Sequence, residues 1–82
     1  MAPVVRTVKL IYPPALVTEP VLYRLCQEFE IVPNIRKARI TEASGEVTVK
    51  LKGEAAEVAR GLTFLTTLGI TVQELGAAPA PD

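Results

Sequence analysis

The residues able to do chemistry in this chain are few, and their types exclude most forms of catalysis. The 82 residues include one cysteine, Cys26, and no histidine. One cysteine excludes an internal disulfide, and without further thiols or imidazoles the chain cannot build a zinc or iron–sulfur site from these groups alone. The absence of histidine also excludes Ser-His and Cys-His nucleophiles. Glu54 and Glu57 lie in the first turns of a predicted helix, where the helix dipole explains them better than acid–base chemistry. We expect no enzymatic activity, no cofactor and no metal.

Four basic residues fall on two predicted strands: Lys37, Arg39, Lys50 and Lys52. A solvated sheet face explains such a group, because lysine on exposed strands also guards against edge aggregation. The alternative is a face that binds anions or a partner. Nine Lys plus Arg balance nine Asp plus Glu, so the formal net charge is zero and the field of the whole molecule does not attract nucleic acid strongly.

Composition predicts one small domain that folds in water. The chain is 49% hydrophobic and 22% charged, which is too apolar for disorder, and its apolar runs are too short to cross a bilayer. The first residues show no secretory signal, so we expect a reduced, cytoplasmic setting without membrane insertion. The domain is expected to span residues 1–75, and the Ala/Pro-rich residues 76–82 to form a flexible tail outside the fold.

Apolar spacing predicts the order strand, helix, strand, strand, helix, strand. The strands are expected over residues 4–12, 34–43, 46–52 and 70–75, with one helix from Thr18 to before Pro33 and another over 54–68. Thr18 is expected to cap the first helix, and Cys26 to be a small core residue on its apolar face.

Three glycines mark a turn and two element ends in the second half of the chain. Ser44-Gly45 predicts a two-residue hairpin turn, Gly53 is expected to break the strand before it, and Gly69 to end the second helix in a left-handed conformation. The element order predicts an α+β ferredoxin-like βαββαβ sandwich, with two helices on one face of a four-stranded antiparallel sheet.

In that fold the two faces of the sheet differ chemically. The residues expected to face the helices are Val8, Leu10, Ile40, Val47, Val49, Leu51 and Val72; those expected on the open face are Thr7, Lys9, Lys37, Arg39, Thr48, Lys50 and Lys52. Since RNA-recognition domains stack bases on aromatic residues of this face, its Thr and Lys make nucleic-acid binding an unfavoured function. The uncovered face and edge strands favour a homodimer.

The stretch from Phe29 to Ile35 resembles the motif that names the NIL domain family. In that family an Asn-Ile-Leu segment enters the second strand; here the segment is Asn34-Ile35-Arg36, with Arg36 in place of leucine. The resemblance continues through Ser44-Gly45, Gly53-Glu54 and residues 68–75. It covers roughly residues 4–75, nearly the whole chain.

The family resemblance implies a function. NIL domains are best known as regulatory domains of the ATPase subunits of methionine importers, where they bind the amino acid; other members are joined to cluster-bearing domains in sulfur amino-acid metabolism. It implies a free-standing sensor in which Asn34 and Ile35 line a ligand pocket at a dimer interface. Arg36 could pair with a ligand carboxylate or fill the pocket. The alternative is a ligand-free interaction module serving an enzyme or transporter of sulfur amino-acid metabolism.

Overall fold

Two strand–helix–strand units make up residues 3–80, the part of the chain that the computed structural model describes. The elements are β1 (Pro3–Tyr12), α1 (Val21–Glu28), β2 (Ile31–Ile40), β3 (Gly45–Glu54), α2 (Ala55–Leu68) and β4 (Thr71–Pro79), with a 3-10 turn at Pro14–Leu16. The strands form one antiparallel sheet in the order β2-β3-β1-β4, which confirms the predicted ferredoxin-like α+β fold. Neither helix of residues 3–80 is long and apolar enough to cross a membrane.

The core lies between the two helices and one face of the central strands. Alternate residues of β1 and β3 are buried, as the two-residue period of a strand requires. These residues are Val8, Leu10, Tyr12, Val47, Val49 and Leu51. The helices meet them with Val21 and Leu25 from α1 and with Val58, Leu62 and Leu65 from α2. The predicted inward face is therefore confirmed in the central strands, and Val72 packs half-buried against the same cluster.

Helix α1 begins later than predicted. Pro20 precedes its first residue, Val21, and no side chain caps the helix, so Thr18 does not have the expected capping role. The prediction that Cys26 lies in the core is also wrong, because its side chain is exposed. In a helix of eight residues the buried stripe is Val21 and Leu25, one turn apart, and Cys26 lies beside that stripe.

Strand β2 occupies Ile31–Ile40, three residues earlier than the predicted 34–43. Pro33 lies inside the strand, and proline is tolerated in a sheet chiefly on edge strands such as β2, which have a neighbouring strand on one side only. The hairpin loop is also longer than the predicted Ser44-Gly45 turn. The hydroxyl of Thr41 accepts hydrogen bonds from the backbone N–H groups of Ala43 (3.2 Å) and Ser44 (3.0 Å), which closes a four-residue loop.

Gly61 sets how closely α2 packs on the rest of the domain. It is buried, and a methyl group at this position would lie 2.5 Å from Cδ1 of Ile31 and 3.1 Å from Cδ1 of Leu25. Real Cβ atoms do not approach other atoms at the shorter of these distances. The absence of a side chain therefore lets the helix approach β2 and α1.

The other two glycines of this region have different outcomes. Gly69 ends α2 with φ of 108°, in the left-handed region, and the N–H of Ile70 donates to the carbonyl of Leu65 at 3.1 Å, as predicted for this type of helix end. Gly53 does not break β3, which continues through Glu54. Its backbone pairs with Val4 on β1 and with Ile31 on β2, and this pairing on both sides keeps it in the sheet.

Strand β4 is longer than predicted. It runs past Leu75 to Pro79, and residues 76–79 pair with β1 although the sequence placed them in a flexible tail. The prediction relied on side chains that pack, whereas strand pairing requires only backbone N–H and C=O groups. Arg6 and Glu74 also join the two strands through two hydrogen bonds of 2.8 Å. Residues 81–82 of the predicted tail lie outside the described residues.

Candidate binding groove and open sheet face

A β-bulge determines which side chains of β2 share a face. Ile35 pairs with Val49 and Lys37 pairs with Thr48, so Arg36 has no partner on β3. Directly opposite residues of an antiparallel pair point to the same face. Ile35 therefore lies on the helix-covered side with buried Val49, and Lys37 lies on the open side with Thr48.

An apolar groove opens beside the second half of β2, on the helix-covered side of the sheet. Its volume is about 220 Å³. The strand contributes Ile35, Ala38 and Ile40 to its lining, and the start of α1 contributes Pro20 and Tyr23. The central strands contribute Tyr12 from β1 and Val47 from β3, so the groove runs from the edge strand toward the middle of the sheet.

The groove exists because β2 extends beyond the cover of the short helix α1. Ile40 pairs with Gly45 and lies on the predicted helix side, but it does not reach the core and stays 61% exposed. Ile35 is 55% exposed and Tyr23 is 65% exposed. The small side chain of Ala38 leaves space between them. Large apolar side chains exposed around a concave surface are typical of a binding or association site.

Three side chains with polar groups line this apolar groove: Tyr12, Glu19 and Tyr23. The ring of Tyr12 is buried, and this burial raises the pKa of its phenol, which therefore stays a neutral hydrogen-bond donor at physiological pH. Glu19 is exposed, and among residues 3–80 no Lys or Arg nitrogen lies within 4.0 Å of its carboxylate. The groove thus combines apolar contacts with two phenol hydroxyls and one carboxylate.

The structure separates the three residues predicted to bind a ligand together. Ile35 lines the groove, whereas Asn34 is exposed and pairs with Lys50 on the open face. Neighbouring residues of a strand point to opposite faces, so the two cannot line one pocket within a single copy of the chain. Arg36 is exposed at the bulge. A ligand contact by any of the three stays a prediction.

The predicted basic residues lie together on the open face. Lys37, Arg39, Lys50 and Lys52 are all exposed on the adjacent strands β2 and β3. Lys9 of β1 lies on the same face, and its Nζ is 3.2 Å from Oε1 of Glu46. The alternation that assigned these residues to one face holds, and the binding of an anion or a partner there stays a prediction.

Sequence reasoning missed most of the groove. Tyr12 is the last residue of the strand expected over residues 4–12, and no local pattern in the sequence joins it to Glu19 or Tyr23. The available signal was Ile40, a large apolar residue near the end of a charged strand, which needs an apolar neighbour.

Comparison with known families identifies the domain. The family model described as the NIL domain matches residues 6–74. The chain belongs to the NIL domain family. This finding confirms the resemblance indicated by the segment that contains Asn34 and Ile35.

Two curated relatives of this NIL domain carry the name Methionine import ATP-binding protein MetN 1 and come from two strains of Bacillus cereus. The domain is 39% identical to one and 37% identical to the other, over 59 residues in each case. Each match covers 67% of this chain and 17% of the relative. The NIL domain described here thus corresponds to a small part of those proteins.

Solved structures share the fold of this NIL domain. The C-terminal domain of an ABC transporter/ATP-binding protein from Enterococcus faecalis has a TM-score of 0.77 at 19% identity, covering 87% of this chain and 83% of that one. The de novo designed protein Foldit4 has a TM-score of 0.57 at 11% identity, covering 98% of both chains. At these identities the likeness shows the fold alone, because one fold hosts many functions.

Proposed function

We propose that this NIL domain is a non-catalytic, cytoplasmic regulatory domain that binds methionine or a related amino acid and signals its occupancy to a transport or sulfur-metabolism protein. The observation that carries the proposal is the apolar groove lined by Ile35, the isoleucine of the family motif, with polar groups on Tyr12, Glu19 and Tyr23. The names of the Bacillus cereus relatives support methionine import as the setting.

The groove suits a ligand of amino-acid size. Its volume of about 220 Å³ is below the roughly 300–1,000 Å³ typical of pockets for drug-sized ligands. An aliphatic or thioether side chain would contact Ile35 and Ile40. The carboxylate of Glu19 would pair with the ligand's ammonium, and the hydroxyl of Tyr12 would donate to its carboxylate.

Dimerisation is part of the proposal. Tyr23, Ile35 and Ile40 remain exposed around the groove, and β2 is an edge strand. A second copy would cover these side chains and enclose the ligand, and its Asn34 could then approach the ligand although Asn34 of the first copy lies on the opposite face. Ligand binding would shift the equilibrium from separate chains toward the dimer only to the extent that the ligand binds the dimer more tightly than it binds the separate chains.

A thermal-unfolding screen of the purified domain against the common free amino acids tests this function. Methionine or a relative should stabilise the wild type by about 2.7 kcal/mol at a hundredfold excess over its Kd. Ala38→Phe fills the groove and should remove that response. The matched control is Val32→Phe, which adds the same ring to an exposed position of the same strand on the open face. Asn34→Ala tests the family motif separately.

The results separate the alternatives. Loss of the response in Ala38→Phe with its retention in Val32→Phe supports the groove as the site. A response that survives Ala38→Phe and disappears in Asn34→Ala would move the site to the open face. A flat response across the panel, from a folded protein, would contradict the sensor and leave the ligand-free interaction module. Sedimentation with and without methionine tests the dimer.

A further inference from the structure

The open face of the sheet concentrates positive charge in a chain whose formal net charge is zero. Five of the nine basic residues lie there: Lys9, Lys37, Arg39, Lys50 and Lys52. Two carboxylates share the face: Glu46 lies near one end, in the row of Ile11 and Arg39, and Glu54 lies at the other end of β3, opposite Pro3. The molecule therefore has a cationic surface on one side although its net charge is zero.

Most of this positive charge is not neutralised within the domain. Glu46 pairs with Lys9 at 3.2 Å. Lys37, Lys50 and Lys52 stand opposite neutral residues of the neighbouring strand, and among residues 3–80 no carboxylate oxygen lies within 4.0 Å of their ammonium groups. Like charges close together on one sheet face cost stability. Water and salt reduce this cost, because Lys37, Lys50 and Lys52 are exposed.

The face also has apolar positions at both ends. Val32 is 65% exposed, and it lies in one row across the sheet with Lys52, Val5 and Ala78. Ile11 occupies the other end, in the row of Arg39 and Glu46. A surface that alternates charge with isolated apolar side chains matches a protein segment better than it matches a bare phosphate.

Two other occupants fit the face less well. All four aromatic residues of the chain lie on the helix side: Tyr12, Tyr23, Phe29 and Phe64. Single-stranded nucleic acid therefore finds no ring on which to stack a base. A second copy placed face to face would bring the lysines of both copies together, which like-charge repulsion opposes.

We propose that the open face docks an acidic segment of a partner protein, with its carboxylates against Lys37, Lys50 and Lys52 and an apolar side chain against Val32. This surface is opposite the groove, so one domain could hold an amino acid on one side and a protein on the other. The proposal stands whether or not the groove binds an amino acid.

Fluorescence anisotropy of a labelled oligoglutamate peptide with one central leucine tests this surface. The wild type should bind the peptide at low salt and lose affinity as salt is added. Lys50→Glu with Lys52→Glu should weaken binding about tenfold or more. Arg24→Glu with Arg60→Glu is the matched control, because it makes the same change in net charge on the helix side and should change binding by less than about threefold.

Four outcomes would overturn the proposal. One is no binding of the peptide at low salt, and another is an equal loss in the two double variants, which would assign the effect to net charge alone. A third is tighter binding of an oligothymidylate of the same length, which would favour nucleic acid. The fourth is a change from dimer to monomer in Lys50→Glu with Lys52→Glu, seen by sedimentation, which would assign the face to a second copy.

Discussion

Replacing Gly61 by alanine is expected to destabilise this NIL domain, although alanine is the better helix former. The new Cβ would lie 2.5 Å from Cδ1 of Ile31 and 3.1 Å from Cδ1 of Leu25. Helix propensity favours alanine by about 1 kcal/mol, whereas overpacking a filled core costs about 1–3 kcal/mol. Ile31 is 5% exposed and Leu25 is fully buried, so neither side chain can swing into solvent and the higher cost applies. We expect a net loss of about 1 kcal/mol.

Urea unfolding followed by circular dichroism measures this loss, at one protein concentration because association changes apparent stability. For a domain of this size, about 1 kcal/mol corresponds to a fall in Tm of about 4–8 °C. Gly76→Ala is the matched control, since no atom lies within 4 Å of its added Cβ. That variant should leave stability unchanged or raise it by a few tenths of a kcal/mol.

Ile31→Val isolates the cause, because it removes the Cδ1 atom that the new methyl group would meet. In the Ile31→Val background, Gly61→Ala should cost less than in the wild type, or should stabilise the domain. The reasoning is refuted if Gly61→Ala is at least as stable as the wild type. An equal loss in both backgrounds would equally refute the steric explanation.

Two further predictions concern single side chains. Hydrogen bonds from Arg6 hold the pKa of the Glu74 carboxyl below its ordinary value of 4.5, so the carboxylate stabilises the fold above pH 4.5, and that contribution is lost as pH falls through the lowered value. Wild type should therefore lose free energy of unfolding as pH falls from about 6 to about 3, and Glu74→Gln should lose less, by a difference of under about 1 kcal/mol because the pair is partly exposed. Urea unfolding across this pH range measures the difference. An equal loss in the two proteins would contradict the prediction. Exposed Cys26 should react with Ellman's reagent in the folded protein as completely as in urea, and a thiol that reacts only after unfolding would contradict its placement.

The order and type of the elements could be predicted from side-chain periodicity, but several boundaries could not. The buried alternation of Val47, Val49 and Leu51 is visible in the sequence because burial depends on which face a residue occupies. Backbone pairing is not visible in that pattern. It carries β4 through residues 76–79, where small side chains give no apolar signal. The hydrogen bonds by which Thr41 closes the hairpin loop are not visible there either. A threonine hydroxyl can accept such bonds, but whether it does depends on the conformation of the neighbouring backbone.

The candidate site was predictable only where a motif marks it. The Asn34-Ile35 segment indicated the correct strand, and Ile35 does line the groove. Tyr12 and Glu19 come from positions before α1 and meet β2 only through the tertiary fold, so no local spacing could join them to Ile35. The opposite orientation of Asn34 follows from strand geometry once β2 is known to begin at Ile31.

The bulge at Arg36 lets β2 hold one residue more than the facing part of β3 without reversing either face of the sheet. Ile35 pairs with Val49 and Lys37 pairs with Thr48, so deleting Arg36 would leave Lys37 and Arg39 on the open side and Ala38 and Ile40 beside the groove. If Arg36 paired with Thr48 instead, every later side chain of β2 would change face, and Lys37 and Arg39 would make the groove charged. A relative could therefore lose this residue and keep both surfaces, whereas a relative that kept the residue and lost the bulge would exchange them.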